Sequence, residues 1–156
     1  MSAAQKAQAR KNIEDIPTFD TFAEALNKIT SSTTRFRTRG FYIPYDGADC
    51  EYAVQTTANN TYIQYGDLAI SPAYLINTNM RTIYVKHYGI RPGPITQLNG
   101  EWLGWDANIA EANSVIFDKL IPSLGNGFTL EFEAGHFFFT RSIGCTKAIN
   151  FKGSAS

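Results

Sequence analysis

The sequence predicts an α+β fold in which strands dominate. Aromatic residues make up 13% of the chain, and Thr, Ile, Val and Gly often stand between them, which favours strands over helices. Two stretches instead carry the spacing of amphipathic helices, at residues 19–30 and 108–120. Because 44% of the 156 residues are hydrophobic and 18% are charged, we expect a folded chain of one ordinary domain or two small ones.

The charge balance limits the partners that we expect. The chain carries 14 basic and 14 acidic side chains, so no electrostatic surplus attracts nucleic acid or an anionic membrane. The N-terminus lacks the apolar core of a secretory signal, and no apolar run reaches the ~18–20 residues of a membrane span. We therefore expect a soluble protein made in a reducing cytoplasm, with Cys50 and Cys145 as free thiols in the apolar core rather than a disulfide.

The first half of the chain is divided by changes of pattern. Residues 2–13 predict a short polar helix that Ser2 and Gln5 cap. A break at Ile16-Pro17 precedes a second capping box, Thr21-x-x-Glu24, followed by apolar positions at helical spacing, which are Phe22, Ala25, Leu26 and Ile29. Alternation with period two then predicts strands at 35–37, 40–43, 51–55 and 61–65, with the last two joined across Asn59-Asn60.

The second half alternates strands with one helix. A strand at 82–88 leads into an irregular stretch, and Asn108-x-x-Glu111 predicts the cap of a helix that stops at Pro122. The apolar positions assigned to its buried face are Ile109, Ala112, Val115, Ile116 and Leu120. A strand at 128–133 follows, with Phe128, Leu130 and Phe132 on its buried side. Further strands are predicted at 137–139 and 148–151.

A short N-terminal segment resembles phage proteins. It reads Ala4-Gln5-Lys6-Ala7-Gln8-Ala9-Arg10-Lys11-Asn12-Ile13. A similar segment, usually AQKAQARANIG, recurs in phage tail-fibre and tailspike proteins, near the part that joins the virion or marks a module boundary.

A longer stretch, residues 82–153, resembles the opening of the pectate-lyase-like β-helix domain that is common in tailspikes. The matching positions are Val85, Tyr88 and Gly89, the helix 108–120, Gly125-Asn126-Gly127, the strand 129–132, Ala134-Gly135-His136-Phe137 and Ile149-Asn150-Phe151-Lys152-Gly153. The usual AxGDG after the first strand is replaced by Ile90-Arg91-Pro92-Gly93-Pro94, Glu133 stands where Pro is common, and an insertion carries two Trp residues. We therefore expect a modified N-terminal cap.

The resemblance implies a small β-rich head followed by the N-terminal cap and first coil or coils of a right-handed parallel β-helix. It divides the chain into an N-terminal helix and linker (1–16), a head or adaptor domain (17–80) and a cap with the start of the β-helix (81–156). The physics agrees with this order, because the first coil of a β-helix exposes its core unless a helix covers it. Several coils are needed for stability, so we expect more chain after residue 156.

The same resemblance implies a function in virion attachment and β-helix capping for recognition of a host-surface glycan. The implied partners are further copies in a homotrimer, the phage tail, baseplate or another tail fibre protein, and a host surface polysaccharide bound by a downstream region. Helix 2–13 fits a trimer, because three copies could bury their alanine faces together. The protein would be assembled in the bacterial cytoplasm and reside in the virion. We expect no cofactor, no bound nucleic acid and no membrane insertion.

Two alternative functions stay open. The full-length protein could be a polysaccharide depolymerase, a hydrolase or lyase acting on capsule or lipopolysaccharide. For these 156 residues we expect no enzyme, because they carry no nucleophile elbow, Cys-His signature or phosphate loop. The chain could also be a carbohydrate-binding module, in which Trp102 and Trp105 stack on a sugar ring beside Glu101 and Asp106. The same two rings could equally plug the cap or a subunit contact.

Paired carboxylates on the strand 128–133 have two interpretations. Glu131 and Glu133 lie about 6.5–7 Å apart along the backbone, a spacing that is compatible with an inverting glycosidase pair. We favour a solvated strand face opposite the apolar positions.

The remaining polar clusters predict no metal site. Asp46, Asp49 and Glu51 lie close together but lack EF-hand spacing, which favours an acidic turn over a cation site. Neither His87 nor His136 has a Cys or His at ligand spacing.

Overall fold

The computed structural model describes residues 1–7, 16–76, 80–94, 96–98, 101–104 and 106–153. Within them the chain combines helices with strands in small sheets, so the mixed class is as the sequence predicts, but strand and helical residues are about equally many and strands do not dominate. The strands are β1 (Thr18–Phe19), β2 (Arg35–Thr38), β3 (Cys50–Gln55), β4 (Ile63–Tyr65), β5 (Leu68–Pro72), β6 (Thr82–Tyr84), β7 (Thr96–Leu98), β8 (Glu101–Gly104), β9 (Thr129–Phe132) and β10 (Asn150–Gly153). The α-helices are α1 (Phe22–Lys28) and α2 (Ala107–Ser123), and 3-10 turns cover Ala73–Leu75 and Val85–Tyr88.

The N-terminal segment begins with the predicted capping box. The Gln5 N–H donates to Ser2 Oγ at 3.1 Å, and the Ser2 N–H donates to Gln5 Oε1 at 2.8 Å. Residues 3–7 are helical. The remainder of the predicted helix, together with residues 8–13 of the tail-fibre-like segment, lies outside the described residues.

Helix α1 forms where its capping box and apolar spacing predict it. The Glu24 N–H donates to Thr21 Oγ1 at 3.2 Å, and the Glu24 carboxylate accepts from the Asp20 N–H at 2.8 Å. The helix buries Phe22 and Ala25, which are 3% and 0% exposed, against the first sheet. It is shorter than the predicted 19–30 at both ends, because Thr21 is its N-cap and it ends at Lys28.

The first sheet has five strands in the order β1-β2-β3-β5-β4. Strand β1 is parallel to β2, and the other pairs are antiparallel. The predicted pairing of 51–55 with 61–65 is wrong, because β5 lies between β3 and β4. The tight hairpin is at Gly66-Asp67, where Tyr65 pairs with Leu68 across a two-residue turn. Strand β5 takes the place between β3 and β4 because it buries a continuous run, residues 69–73, whereas its flanking Gly and Pro residues are typical of a loop in the sequence.

The second sheet contains three parallel strands in the order β10-β9-β6. The strand predicted at 82–88 stops at Tyr84 and continues as a 3-10 turn. Val85 and Tyr88, three residues apart, are both buried, which suits a helix of three residues per turn. Gly89, at φ 90°, ends this turn. Predicted strand 148–151 is present but shifted, as β10.

Helix α2 follows the prediction in place but not in detail. Asp106 is its N-cap, since Asp106 Oδ1 accepts from the N–H groups of Asn108 and Ile109 at 2.9 and 3.1 Å. The predicted cap at Asn108 is therefore wrong by two residues. The buried face is also rotated from the predicted one, and Val115 is 39% exposed. The buried side chains are Ala110, Asn113, Ser114, Phe117, Leu120 and Ile121.

Two predicted strands are irregular loops. Residues 40–43 bend around the carboxylate of Asp46, and residues 137–139 form an irregular stretch that packs on α2. There the ring of Phe139 meets that of Phe117 edge-on at 4.8 Å. In both places backbone or aromatic contacts with a neighbouring segment replace strand pairing.

Contacts cross the predicted domain boundary at residue 80. Ile63 of β4 belongs to the same buried cluster as Ile83, Leu130 and Phe117. In addition, the Tyr88 hydroxyl donates to the Thr61 carbonyl at 2.6 Å. The division into 17–80 and 81–156 stays a prediction, and the two parts share a core.

Candidate functional site

The parallel sheet stacks apolar side chains in register. Ile83 of β6 pairs with Leu130 of β9, which pairs with Phe151 of β10. Ile83 and Leu130 are 0% exposed, whereas Phe151 is 54% exposed. Among the described residues β10 pairs with β9 alone. The sheet therefore has a buried interior row that opens to solvent at its β10 edge.

Helix α2 positions the irregular segments around this sheet through one buried amide. Asn113 is 0% exposed. Its Oδ1 accepts from the Arg91 N–H at 3.1 Å, while its Nδ2 donates to the carbonyls of Arg91 and Phe138 at 2.9 and 3.2 Å. A buried amide with all three partners supplied fixes the relative position of the chain around residues 91 and 138. Nothing in the sequence marked this residue, because polar residues are usually assigned to the solvent face of a helix.

The predicted carboxylate pair is divided between two environments. The Glu131 side chain is 16% exposed, and Lys152 Nζ lies 3.7 Å from its Oε1. Glu133 comes after the end of β9 and lines a separate cleft beside Arg91. The fully solvated face that the sequence favours is therefore wrong for Glu131, which the adjacent strand partly covers.

The predicted aromatic platform falls largely outside the described part of the chain. Strands β7 and β8 form an antiparallel hairpin in which Trp102 pairs with Gln97. The side chain of Trp102 and the whole of Trp105 lie outside the described residues. The sugar-stacking role of these two Trp residues remains a prediction.

The carboxylates of the predicted acidic cluster have different hydrogen-bond partners and do not form one site. The Asp46 carboxylate accepts from the backbone N–H groups of Phe41, Tyr42, Ile43 and Ala48 at 2.9–3.3 Å. Partial burial acts to raise the pKa of Asp46, but these hydrogen bonds outweigh it and the pKa lies below its ordinary value. Asp46 thus holds the turn together. An acidic turn is the interpretation that the sequence favours over a cation site.

A cleft of about 610 Å³ lies beside His87 and is also lined by Thr38, Cys50 and Tyr74. We call it the His87 cleft. The His87 Nδ1 lies 3.0 Å from the Tyr74 hydroxyl, and burial lowers the pKa of His87 to about 4. Glu51 on its rim pairs with Arg35 and Arg37 at 2.6 and 3.1 Å. Among the residues that the structure describes, no three His, Cys, Asp or Glu side chains are placed to hold a metal ion.

A second cleft of about 320 Å³ lies between the turn of Asp46 and the segment that follows β6. We call it the Arg91 cleft, and its charged lining residues are Asp46, Lys86, Arg91 and Glu133. The Arg91 guanidinium carbon lies 3.9 Å from the ring centre of Tyr42. The Tyr42 hydroxyl in turn donates to the Gly89 carbonyl at 2.5 Å. The sequence indicated only that residues 90–94 depart from the usual β-helix opening.

The two cysteines are free thiols in different surroundings. Cys50 is half-buried, and burial raises its pKa to about 12. Cys145 is exposed, so the prediction that both lie in the apolar core is wrong for Cys145. The chain around Cys145 is irregular, and Ile143 rather than Cys145 packs against the core there.

Comparisons with known proteins give no relative. No family model, curated protein or solved structure matches the chain. Within the described residues, none of the helices has the length and apolar content to cross a membrane. Support for a function therefore comes from the sequence resemblance and from the geometry of the ladder and the clefts.

Proposed function

We propose that the chain is the virion-attachment end of a phage tailspike or tail fibre, and that its second half caps and begins a right-handed parallel β-helix. The observation that carries the proposal is the ladder of β9 on β10. Paired residues differ by a constant 21 in number, from Thr129 with Asn150 to Phe132 with Gly153. Parallel pairing after so short a return is what a β-helix coil produces, because each coil brings the chain back to the same position about one strand spacing, ~4.8 Å, further along.

The side chains of the ladder support the same proposal. The row of Ile83, Leu130 and Phe151 is apolar at each step, as the interior of stacked coils requires. In the proposed spike a further coil would pair with β10 and cover Phe151. The right-handed sense is the one expected for parallel strands joined by crossovers.

Helix α2 supplies the proposed cap. Its Phe117, Leu120 and Ile121 belong to the buried cluster that contains Ile83 and Leu130. A helix packed at the start of the stack shields apolar side chains that the first coil would otherwise expose. The irregular loop after β9 is tied to the same helix, since Arg141 pairs with Glu111 and Asp118 at 2.9 and 2.7 Å.

The attachment role rests on the tail-fibre-like segment at residues 4–13. The described part of this segment, residues 4–7, is helical and exposed. An exposed alanine-rich helix of this length is marginal alone, and we propose that three copies bury it together in a homotrimer. The further partners would be the tail, baseplate or another fibre protein, and a host polysaccharide bound downstream, with the protein resident in the virion after assembly in the bacterial cytoplasm.

A competition experiment tests the attachment role. Phage particles of the encoding phage, assembled without their spike, would be incubated with the purified chain before the full-length spike is added. We expect the chain to occupy the attachment sites and to lower the infectious titre. A chain that lacks residues 1–16 is the matched control and should compete less. An unchanged titre with the complete chain would contradict the proposal.

The trimer has its own measurement. Light scattering on the chain at micromolar concentration should give three times the monomer mass, and deletion of residues 1–16 should lower the trimer fraction. A monomer at all accessible concentrations would exclude the role that we give to the N-terminal helix.

We also propose that these residues perform no catalysis, and that any depolymerase activity belongs to a longer protein. Glu131 lies beside Lys152, with 3.7 Å between the charged atoms, whereas Glu133 lines the Arg91 cleft, so the two carboxylates do not flank one cleft as a glycosidase pair does. Incubation of the chain with host capsule should release no oligosaccharide. Release that is lost in Glu131→Gln would support the enzymatic alternative instead.

A further inference from the structure

The Arg91 cleft holds a cation that is positioned by several contacts but forms no ion pair with a described residue. The backbone of Arg91 is bound at both its N–H and its carbonyl by Asn113, and its guanidinium lies over the Tyr42 ring. Among the described residues the guanidinium makes no ion pair, and its Nε is shielded from solvent without a hydrogen-bond partner. The terminal nitrogens are therefore the atoms of this guanidinium that remain to meet a ligand in the cleft.

Contacts also fix the two chain segments that form the walls of the cleft. Gly135, at φ 142°, approaches Pro92 so closely that a Cβ at residue 135 would lie 2.6 Å from the Pro92 Cβ. The Gly93 N–H donates to the His136 carbonyl at 3.0 Å. These contacts fix the segment that carries Glu133 beside the segment that carries Arg91. The site is therefore built before any ligand arrives, which lowers the cost of binding.

The charges of the cleft select the chemistry of the ligand. Lys86 adds a second cation on the lining, and it has no ion pair among the described residues. The Asp46 carboxylate is engaged by backbone N–H groups, so Glu133 is the lining carboxylate left to accept hydrogen bonds. A ligand with one carboxylate and neighbouring hydroxyl groups satisfies both needs. A phosphate dianion would fit worse, because the two carboxylates repel its second charge.

We propose that the Arg91 cleft binds a sugar acid, a hexuronate residue, with its carboxylate on Arg91 and Lys86 and its hydroxyl groups on Glu133. Arginine presents the planar fork that matches a carboxylate. Apolar lining from Phe41, Ile90 and Pro92 offers a surface for the C–H face of the ring, and the volume of about 320 Å³ is that of a site for one small molecule. This inference goes beyond the proposed attachment role and does not depend on it.

The test is a titration of the isotope-labelled chain with sodium glucuronate, followed by NMR chemical shifts. Glucose supplies the ring without the charge, and acetate supplies the charge without the ring. We expect saturable shifts around Tyr42 and Arg91 with glucuronate, and affinity at least about tenfold weaker for either fragment. Equal affinity for acetate and glucuronate would overturn the proposal in favour of a plain anion site, and no saturable shift with glucuronate would also overturn it.

Variants test whether glucuronate binds in the Arg91 cleft or elsewhere on the surface. Arg91→Gln keeps the backbone bonds to Asn113 and should weaken glucuronate binding by about tenfold or more. Arg37→Gln is the matched control, because Arg37 is an exposed arginine on the rim of the His87 cleft, and it should bind as the unchanged chain does. Unaltered affinity in a folded Arg91→Gln variant, checked by its unfolding midpoint, would overturn the assignment. Binding of an acidic peptide in preference to glucuronate would overturn it as well.

Deletion of residues 1–16 distinguishes the two proposals. It should leave glucuronate affinity unchanged while it lowers the trimer fraction. In the complete chain, a trimer that does not bind glucuronate would reject the cleft alone. A complete chain that binds glucuronate but stays monomeric would reject the role of the N-terminal helix alone.

Discussion

Replacement of Asn113 by alanine should destabilise the protein far more than its polar character suggests. The side chain is 0% exposed and makes hydrogen bonds of 2.9, 3.1 and 3.2 Å to the backbone of Arg91 and Phe138. Each bond contributes about 1 kcal/mol net, and the partners left behind remain shielded from water. We expect the free energy of unfolding to fall by about 3 kcal/mol, which lowers the melting temperature by roughly 6–12 °C for a domain of this size.

The assay is urea unfolding followed by tryptophan fluorescence and circular dichroism. Asn108→Ala on the same helix is the matched control, because Asn108 is exposed and such a change should stay within about 0.5 kcal/mol. Asn113→Asp keeps the volume and the acceptor but removes both donated bonds, so it should be destabilised too. If Asn113→Ala unfolds within about 0.5 kcal/mol of the unchanged chain, the hydrogen-bond argument is refuted.

Three further predictions concern other parts of the chain. Burial lowers the pKa of His87 to about 4, so between about pH 4 and 6.5 the unfolded chain binds a proton that the folded chain does not. The contribution of neutral His87 to the free energy of unfolding is therefore fully present above this window, and it falls by roughly 3 kcal/mol as the pH drops through it. Urea unfolding at pH 7 and 4.5 should show a smaller loss in His87→Gln, and an equal loss in both proteins would contradict the reasoning. Cys145 is exposed, whereas Cys50 is half-buried and its pKa is raised to about 12. A thiol reagent should therefore label Cys145 rapidly in the native chain, and Cys145→Ser should remove that rapid phase. Gly89→Ala should cost about 2–4 kcal/mol, since Gly89 has φ 90° and an added Cβ would lie 2.4 Å from an aromatic carbon, whereas Gly125→Ala, with nothing within 4 Å, should be nearly neutral by the same urea measurement.

Local signals predicted the parts of the fold that depend on neighbouring residues. The capping boxes at Ser2 and Thr21 both form, because a side-chain oxygen and an N–H three residues apart need no distant partner. The strict alternation at 128–133 also produced β9 with Leu130 buried. Capping of α2 was placed two residues late, since Asp106 and Asn108 both suit the position.

Strand pairing could not be predicted, because it depends on which apolar strands pack together in the core, and these are distant in sequence. The turn at Asn59-Asn60 suggested one hairpin, while the tighter turn at Gly66-Asp67 and the burial of Ile70 produced another. The candidate sites show the same limit. Neither Asn113 nor the Arg91 cleft has a sequence motif, since their partners come from residues more than twenty positions away.

The sequence by itself determined the mixture of helix and strand, the two capped helices at the N-terminus and the alternating strand β9. It also supplied the resemblance to phage spikes on which the proposed function rests. Only the tertiary structure decided the strand order, the parallel pairing of β9 with β10 at a separation of 21 residues and the position of Arg91 over Tyr42. The physical reason is that periodicity and capping act within a few residues, whereas burial, register and unpaired charge are properties of segments brought together by folding.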